Sequence, residues 1–140
     1  MDNALENRRV IAVVPAYNER DNIVSTIEDL RNNAPGVDYV IVNDGSKDDT
    51  LSICREHGYN VIDLPVNLGL AGAFQTGMRY AYEHGYDYAI QFDADGQHSA
   101  AFIAEMVHVA EEKGANIVIG SRFATQKKPV SARMAGSVLI

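Results

Sequence analysis

Hydrophobic positions along the chain alternate between two spacings. Val10-Ile11-Ala12-Val13-Val14 is a short continuous apolar run that stops at Pro15, as expected of a strand buried on both faces. From Glu19 the apolar residues fall on one helical face. Ile23, Ile27 and Leu30 recur at i, i+4 and i+7, and Pro35-Gly36 closes the segment. Tyr39-Val40-Ile41-Val42 reads as a second strand running into the turn-forming Asn43-Asp44-Gly45-Ser46. Ser46 and Asp49 have the spacing of a capping box, which predicts a helix carrying Leu51 and Cys54.

Val61-Ile62-Asp63-Leu64 is a third, weaker strand, and Asn67-Leu68-Gly69 opens a helix with Ala71, Gly72, Ala73, Phe74, Met78 and Ala81. Tyr88-Ala89-Ile90-Gln91-Phe92 predicts a fourth strand that feeds into Asp93. Ser99 is placed to cap a helix with Phe102, Ile103, Met106, Val107 and Ala110 on one face, and Ile117-Val118-Ile119 reads as a fifth strand. Strands apolar on both faces, alternating with helices, predict an α/β fold: a doubly wound, mostly parallel sheet with helices on both faces.

The division expected is a polar extension over residues 1–9, an α/β domain over 10–123, and a further region starting at 124–140. Gly136-Ser137-Val138-Leu139-Ile140 ends on an unfinished apolar stretch, which suggests a region cut short. The chain's 140 residues suffice for one domain with a real core. Its net charge of -7 argues against a nucleic-acid surface. It would also repel an anionic ligand unless a metal ion or helix N-termini compensate locally. The single cysteine, Cys54, excludes an internal disulfide and a cysteine-based zinc site, and its helical setting predicts a small buried side chain. Residues 1–9 lack the apolar stretch of a signal peptide, and no apolar run reaches about eighteen residues. A cytoplasmic location is the expectation, with membrane association only through residues beyond this sequence.

In a doubly wound sheet, ligands bind outside the carboxyl ends of the strands, near the switch in strand order. The unusual residues collect at those ends: Pro15-Ala16-Tyr17-Asn18-Glu19, Asn43-Asp44-Gly45-Ser46, Asn67-Leu68-Gly69, Asp93-Ala94-Asp95-Gly96-Gln97-His98 and Gly120-Ser121-Arg122. Singly, most have structural readings. Asp44-Gly45 is a common turn pair, Glu19 suits a first helical turn, and Gly69, Gly72 or Gly77 permits close helix–sheet packing. His98 reads as a turn residue, His57, His84 and His108 as helix-surface residues, Lys127-Lys128 as a solvated loop, and the tyrosines as packing. Asp93-Ala94-Asp95 stands apart, because adjacent like charges are costly unless a cation neutralises them. A hard cation, Mg2+ or Mn2+, prefers oxygen ligands and shares its shell with phosphate and water.

Together these segments resemble glycosyltransferase family 2, especially its polyprenyl-phosphate (dolichol-phosphate) mannosyl- and glucosyltransferase branch. The residues that carry the likeness are Val14 to Glu19, Val42 to Ser46 with Asp49-Thr50, Asn67 to Gly77, Asp93 to His98 and Gly120-Ser121-Arg122-Phe123. The resemblance implies a GT-A fold, in which a Rossmann-like half binds a nucleotide-diphosphate sugar donor, a GDP- or UDP-sugar. It implies a lipid-phosphate or glycan acceptor, and work at the cytoplasmic face of a membrane. Carried over by position, Pro15, Ala16, Tyr17 and Glu19 line the nucleoside pocket and Asp44 meets the base. Asp93, beside Ala94, meets the ribose or the metal shell. Asp95 is the principal ligand of Mg2+ or Mn2+, and Gln97 and Arg122 lie near the sugar or diphosphate. Three features depart from the pattern: Gln75 stands where relatives often carry a basic residue, Ala100 where many have proline, and relatives continue beyond this length. Their acceptor-side half, where a catalytic base would be sought, has no counterpart here, so no base is assigned.

A nucleotidyltransferase would need a glycine-rich basic loop after the first strand, and a dinucleotide-binding oxidoreductase would need G-x-G-x-x-G there. Pro15-Ala16-Tyr17-Asn18-Glu19 is neither. A haloacid-dehalogenase-like phosphatase carries its aspartates after the first strand. A non-catalytic nucleotide-sugar-binding module on the same fold remains the alternative from another class.

Overall fold

The computed structural model describes residues 5–96 and 99–120. Its centre is a four-stranded parallel sheet of β1 (Val10–Ala16), β2 (Asp38–Asn43), β3 (Val61–Asp63) and β4 (Tyr88–Gln91), in the order β3-β2-β1-β4. The helices are α1 (Ile23–Asn33), α2 (Thr50–Glu56), α3 (Gly69–Glu83) and α4 (Ile103–Lys113), the last preceded by a 3-10 turn at Ala100–Phe102.

β1 is buried along its whole length, and alternation decides which layer each residue joins. Val10, Ala12, Val14 and Ala16 pack with Ile23, Ile27 and Leu30 of α1, Cys54 of α2, and Ile103 and Val107 of α4. Ile11 and Val13 face the other way, with Val40, Val42 and the small residues Ala73 and Ala81 of α3. The chain therefore winds outward from β1 through β2 to β3, then crosses the opposite face with α3 to place β4 on β1's other edge. That reversal puts the switch point between β1 and β4.

Pro15 explains why the sheet opens there. β4 pairs with β1 only up to Val13 opposite Gln91, whereas β2 pairs on to Ala16 opposite Asn43. Val13 O accepts from Phe92 N at 2.8 Å, on the β4 side, and Ala16 O accepts from Asp44 N at 2.9 Å, on the β2 side. In a parallel strand the N–H and C=O of one residue point to the same side, so Pro15 faces the side where β4 has already ended. Its missing donor costs no ladder bond, and β1 continues two residues past the expected end at Val14.

Some expectations need correction. Ile117-Val118-Ile119 is in no strand among the described residues, and Ile117 and Ile119 are 75% and 51% exposed. Branched side chains favour extended backbone, but only a partner edge makes a strand. Phe102 is 61% exposed because it belongs to the 3-10 turn, whose tighter winding rotates it off the Ile103, Val107 and Ala110 face. Met78 is 42% exposed, since the buried stripe of α3 runs Ala73, Gly77, Ala81. Gly77 is the packing glycine: a Cβ there would overlap the Val13 side chain. No helix of the described residues is long and apolar enough to cross a membrane.

Candidate functional site

A cavity of about 480 Å³ opens at the carboxyl end of the sheet, over the gap between β1 and β4. Pro15, Ala16, Tyr17 and Glu19 line it from the end of β1, Asp44 from the end of β2, and Asp93, Ala94 and Asp95 from the segment after β4. Asn67, Gly69 and Leu70, at the start of α3, complete the wall. Eight of the residues singled out from sequence thus meet at one place. Gln97 and Arg122, and also His98, Lys127 and Lys128, lie outside the described residues.

Side chains and backbone amides of the loops hold these walls together. Asp44 is 3% exposed. Its Oδ1 accepts from the backbone N–H of Leu68 at 2.6 Å, while its carbonyl accepts from Asn67 Nδ2 at 3.0 Å. Asn67 Oδ1 accepts in turn from Gly69 N at 3.0 Å, an Asx turn that starts α3. Gly45 sits at φ +68°, and a Cβ there would stand 2.8 Å from Asn67 N, so both backbone conformation and space require glycine. The N-terminus of α3 is thereby fixed at the cavity, with Gly69 and Leu70 in its wall.

Ser46 does not cap α2, as its spacing suggests. Its Oγ accepts from Asn18 N at 3.0 Å, and Asn18 Oδ1 accepts from Lys47 N at 2.8 Å. Asn18 adopts φ +53°, a left-handed conformation that asparagine tolerates better than most side chains. The residue before α2 is Asp49, which makes no side-chain cap bond. Ser99 does cap, accepting from Ala101 N.

The cavity is acidic. Among its described lining residues are four carboxylates (Glu19, Asp44, Asp93 and Asp95) and no lysine or arginine. Glu19 Oε2 accepts from Asn22 Nδ2 at 3.1 Å, and Asp93 Oδ1 accepts from Gln91 Nε2 at 3.0 Å. Buried Ala94 anchors the turn between half-buried Asp93 and exposed Asp95. Among the described residues no group of three or more His, Cys, Asp or Glu side chains is arranged to hold a metal ion. Two carboxylates at an open rim instead suit a hard cation that completes its shell with water and ligand oxygens. Cys54 takes no part: it is wholly buried in the core, and burial pushes its thiol up to about 11.

Against known proteins, residues 11–137 match the family described as "Glycosyl transferase family 2". The chain belongs to glycosyltransferase family 2. It is 33% identical to the UDP-N-acetylglucosamine–dolichyl-phosphate N-acetylglucosaminyltransferase of Methanococcus voltae, over 89% of this chain and 56% of that protein. It is 32% identical to the undecaprenyl-phosphate mannosyltransferase of Micrococcus luteus, over 81% and 48%. The chain spans about half the length of these curated relatives. Among solved structures it resembles glucosyl-3-phosphoglycerate synthase from Mycobacterium tuberculosis in complex with Mn2+, UDP and glucosyl-3-phosphoglycerate. That likeness has a TM-score of 0.60 at 26% identity and covers 75% of this chain and 40% of the other. A mannosyltransferase from Pyrobaculum calidifontis shares the fold with a TM-score of 0.64 at 24% identity, over 74% and 32%. The α/β sheet of this family 2 chain is therefore of the GT-A kind.

Asn67, Gly69 and Leu70 were not among the site residues expected from sequence, although Asn67-Leu68-Gly69 stood out as a motif. Its asparagine and glycine signal a tight turn, but only the bond to Asp44 shows that the turn closes the cavity.

Proposed function

We propose that this chain is the donor-binding part of a glycosyltransferase that moves a sugar from a UDP- or GDP-sugar to an acceptor hydroxyl or phosphate. The observation that carries it is the acidic cavity at the switch point of a family 2 fold. Four carboxylates among the described lining residues favour a diphosphate ligand that brings a divalent cation with it. Asp95, with Asp93 beside it, would hold Mg2+ or Mn2+. When bound, the cation supplies Lewis-acid stabilisation of the departing diphosphate. The rest falls to the chain itself. Asp44, Glu19 and Tyr17 accept and orient the nucleoside, Pro15 and Ala16 floor the pocket, and Asn67, Gly69 and Leu70 close its wall at the start of α3. Gln97 and Arg122 belong, on this reading, to the sugar and diphosphate end.

The relatives named for dolichyl-phosphate and undecaprenyl-phosphate transfer favour a polyprenyl phosphate as acceptor, with a growing glycan second. Residues 10–123 form the donor domain on this reading, and 124–140 begin the acceptor side, at the cytoplasmic face of a membrane. Calorimetric titration of UDP and GDP, in Mn2+ and in EDTA, beside Asp95→Ala, tests the proposal. Metal-dependent binding of one nucleotide, lost in the variant, is expected. A folded sample that binds neither nucleotide in Mn2+ would overturn it.

A further inference from the structure

One wall of the cavity is held by residues that do not line it. The loop after β1, residues 17–22, carries Tyr17 and Glu19 into the cavity. Glu19 N donates to Thr50 Oγ1 at 2.9 Å, and the Thr50 hydroxyl donates onward to Asp48 Oδ1. Asp48 Oδ1 also accepts from Thr50 N at 2.9 Å, and Asp48 Oδ2 accepts from Arg20 N at 3.3 Å. Thr50 is fully buried at the first turn of α2. The hydroxyl must therefore act as acceptor and donor at once, and only this pairing satisfies the Glu19 amide. A buried donor left without its acceptor is costly, so the loop is tied to the loop after β2 at a defined height.

We propose that Thr50 and Asp48 are positioning residues for the nucleoside wall, acting through the Glu19 and Arg20 amides. This rests on the donor-site reading for its ligand, but the latch itself is a property of the loop. Asp48 also accepts the first backbone N–H of α2, from Thr50 at 2.9 Å, so one carboxylate serves both the helix start and the latch. Neither side chain lines the cavity, so an effect of either on nucleotide affinity is indirect, and exchange at the Glu19 amide reports whether it passes through the β1–α1 loop.

The experiment compares Thr50→Val, Thr50→Ser and Asp48→Ala with the unaltered chain. UDP and GDP affinity in Mn2+, amide hydrogen exchange read residue by residue by NMR, and Tm are measured on each. Thr50→Val keeps the side-chain shape and removes the hydroxyl. Exchange at Glu19 is expected to speed up about tenfold with the β1 and β2 amides unchanged, and nucleotide binding to weaken about tenfold. Thr50→Ser restores both. Asp48→Ala, in a partly exposed loop, shows the same effects more weakly and guards against misfolding of the buried variant. Exchange that rises uniformly along the sheet, or a serine variant that rescues nothing, would reduce Thr50 to a general stability role and overturn the proposal. If the unaltered chain binds neither nucleotide, the donor-site reading fails, and the Glu19 exchange rates alone decide whether the latch exists.

Discussion

The carboxylate of Asp44 accepts the backbone N–H of Leu68 at 2.6 Å, so the residue that follows β2 also sets where α3 begins. A turn aspartate and a helix start, far apart in sequence, form one unit beneath the cavity. Asp44→Ala removes the acceptor from a buried setting and is expected to destabilise the chain by roughly 1–3 kcal/mol. Asp44→Asn keeps an acceptor oxygen and should recover most of that. Urea denaturation of the two variants separates the structural part of Asp44 from its part in nucleotide binding, which both substitutions should impair.

Gly77 lies in the buried stripe of α3 against Val13. Gly77→Ala raises helix propensity yet forces a methyl group into an occupied space. The overlap should win, with a net loss of about 1–3 kcal/mol. An alanine variant as stable as the parent in urea would show that α3 shifts outward at little cost.

Burial holds the Cys54 thiol near 11, far above the range in which it forms thiolate at neutral pH. A thiol reagent at pH 8 should leave it unmodified in the folded chain and react fully in denaturant. Rapid modification without unfolding would contradict its place in the core.

Two groups set expectations for pH. Burial, then the hydrogen bond to Asp38 Oδ2, pushes Tyr86 up to about 12 from an ordinary 10.0. Its folded value is raised, so its contribution is complete below about 10 and is lost as pH rises through the folded value. Tyr86→Phe should flatten the fall in Tm between pH 10 and 12. For Asp48, burial opposes the charged form, but hydrogen bonds from Thr50 and Arg20 outweigh it and hold the carboxyl below its ordinary 3.8. That contribution is complete above the ordinary value and disappears as pH falls through the folded one. Acid should therefore loosen the Glu19 loop only below the ordinary 3.8, as the carboxyl takes up its proton, readable by exchange.

Much of this protein was legible in its sequence because the signals were local. Continuous apolar runs marked β1, β2 and β4, and the spacing of Ile23, Ile27 and Leu30 marked the inner face of α1. Strand ends could be located, so Pro15 to Glu19, Asp44 and Asp93 to Asp95 could be assigned to one edge of a parallel sheet. What periodicity could not reveal was any contact between loops. Ser46 looked like a helix cap and proved to hold Asn18, because a hydroxyl oxygen serves whichever amide the fold brings within reach. Phe102 and Ile117 carried the right composition for burial, but Phe102 lacked the phase and Ile117 has no strand partner among the described residues. The order β3-β2-β1-β4 was likewise decided only in three dimensions, by the crossing of α3 to the opposite face. The sequence by itself determined which residues stand at strand ends. The tertiary structure decided that the ends of β1 and β4 part at Pro15, because a parallel strand's hydrogen bonds alternate sides and the proline nitrogen faces the side where β4 has stopped.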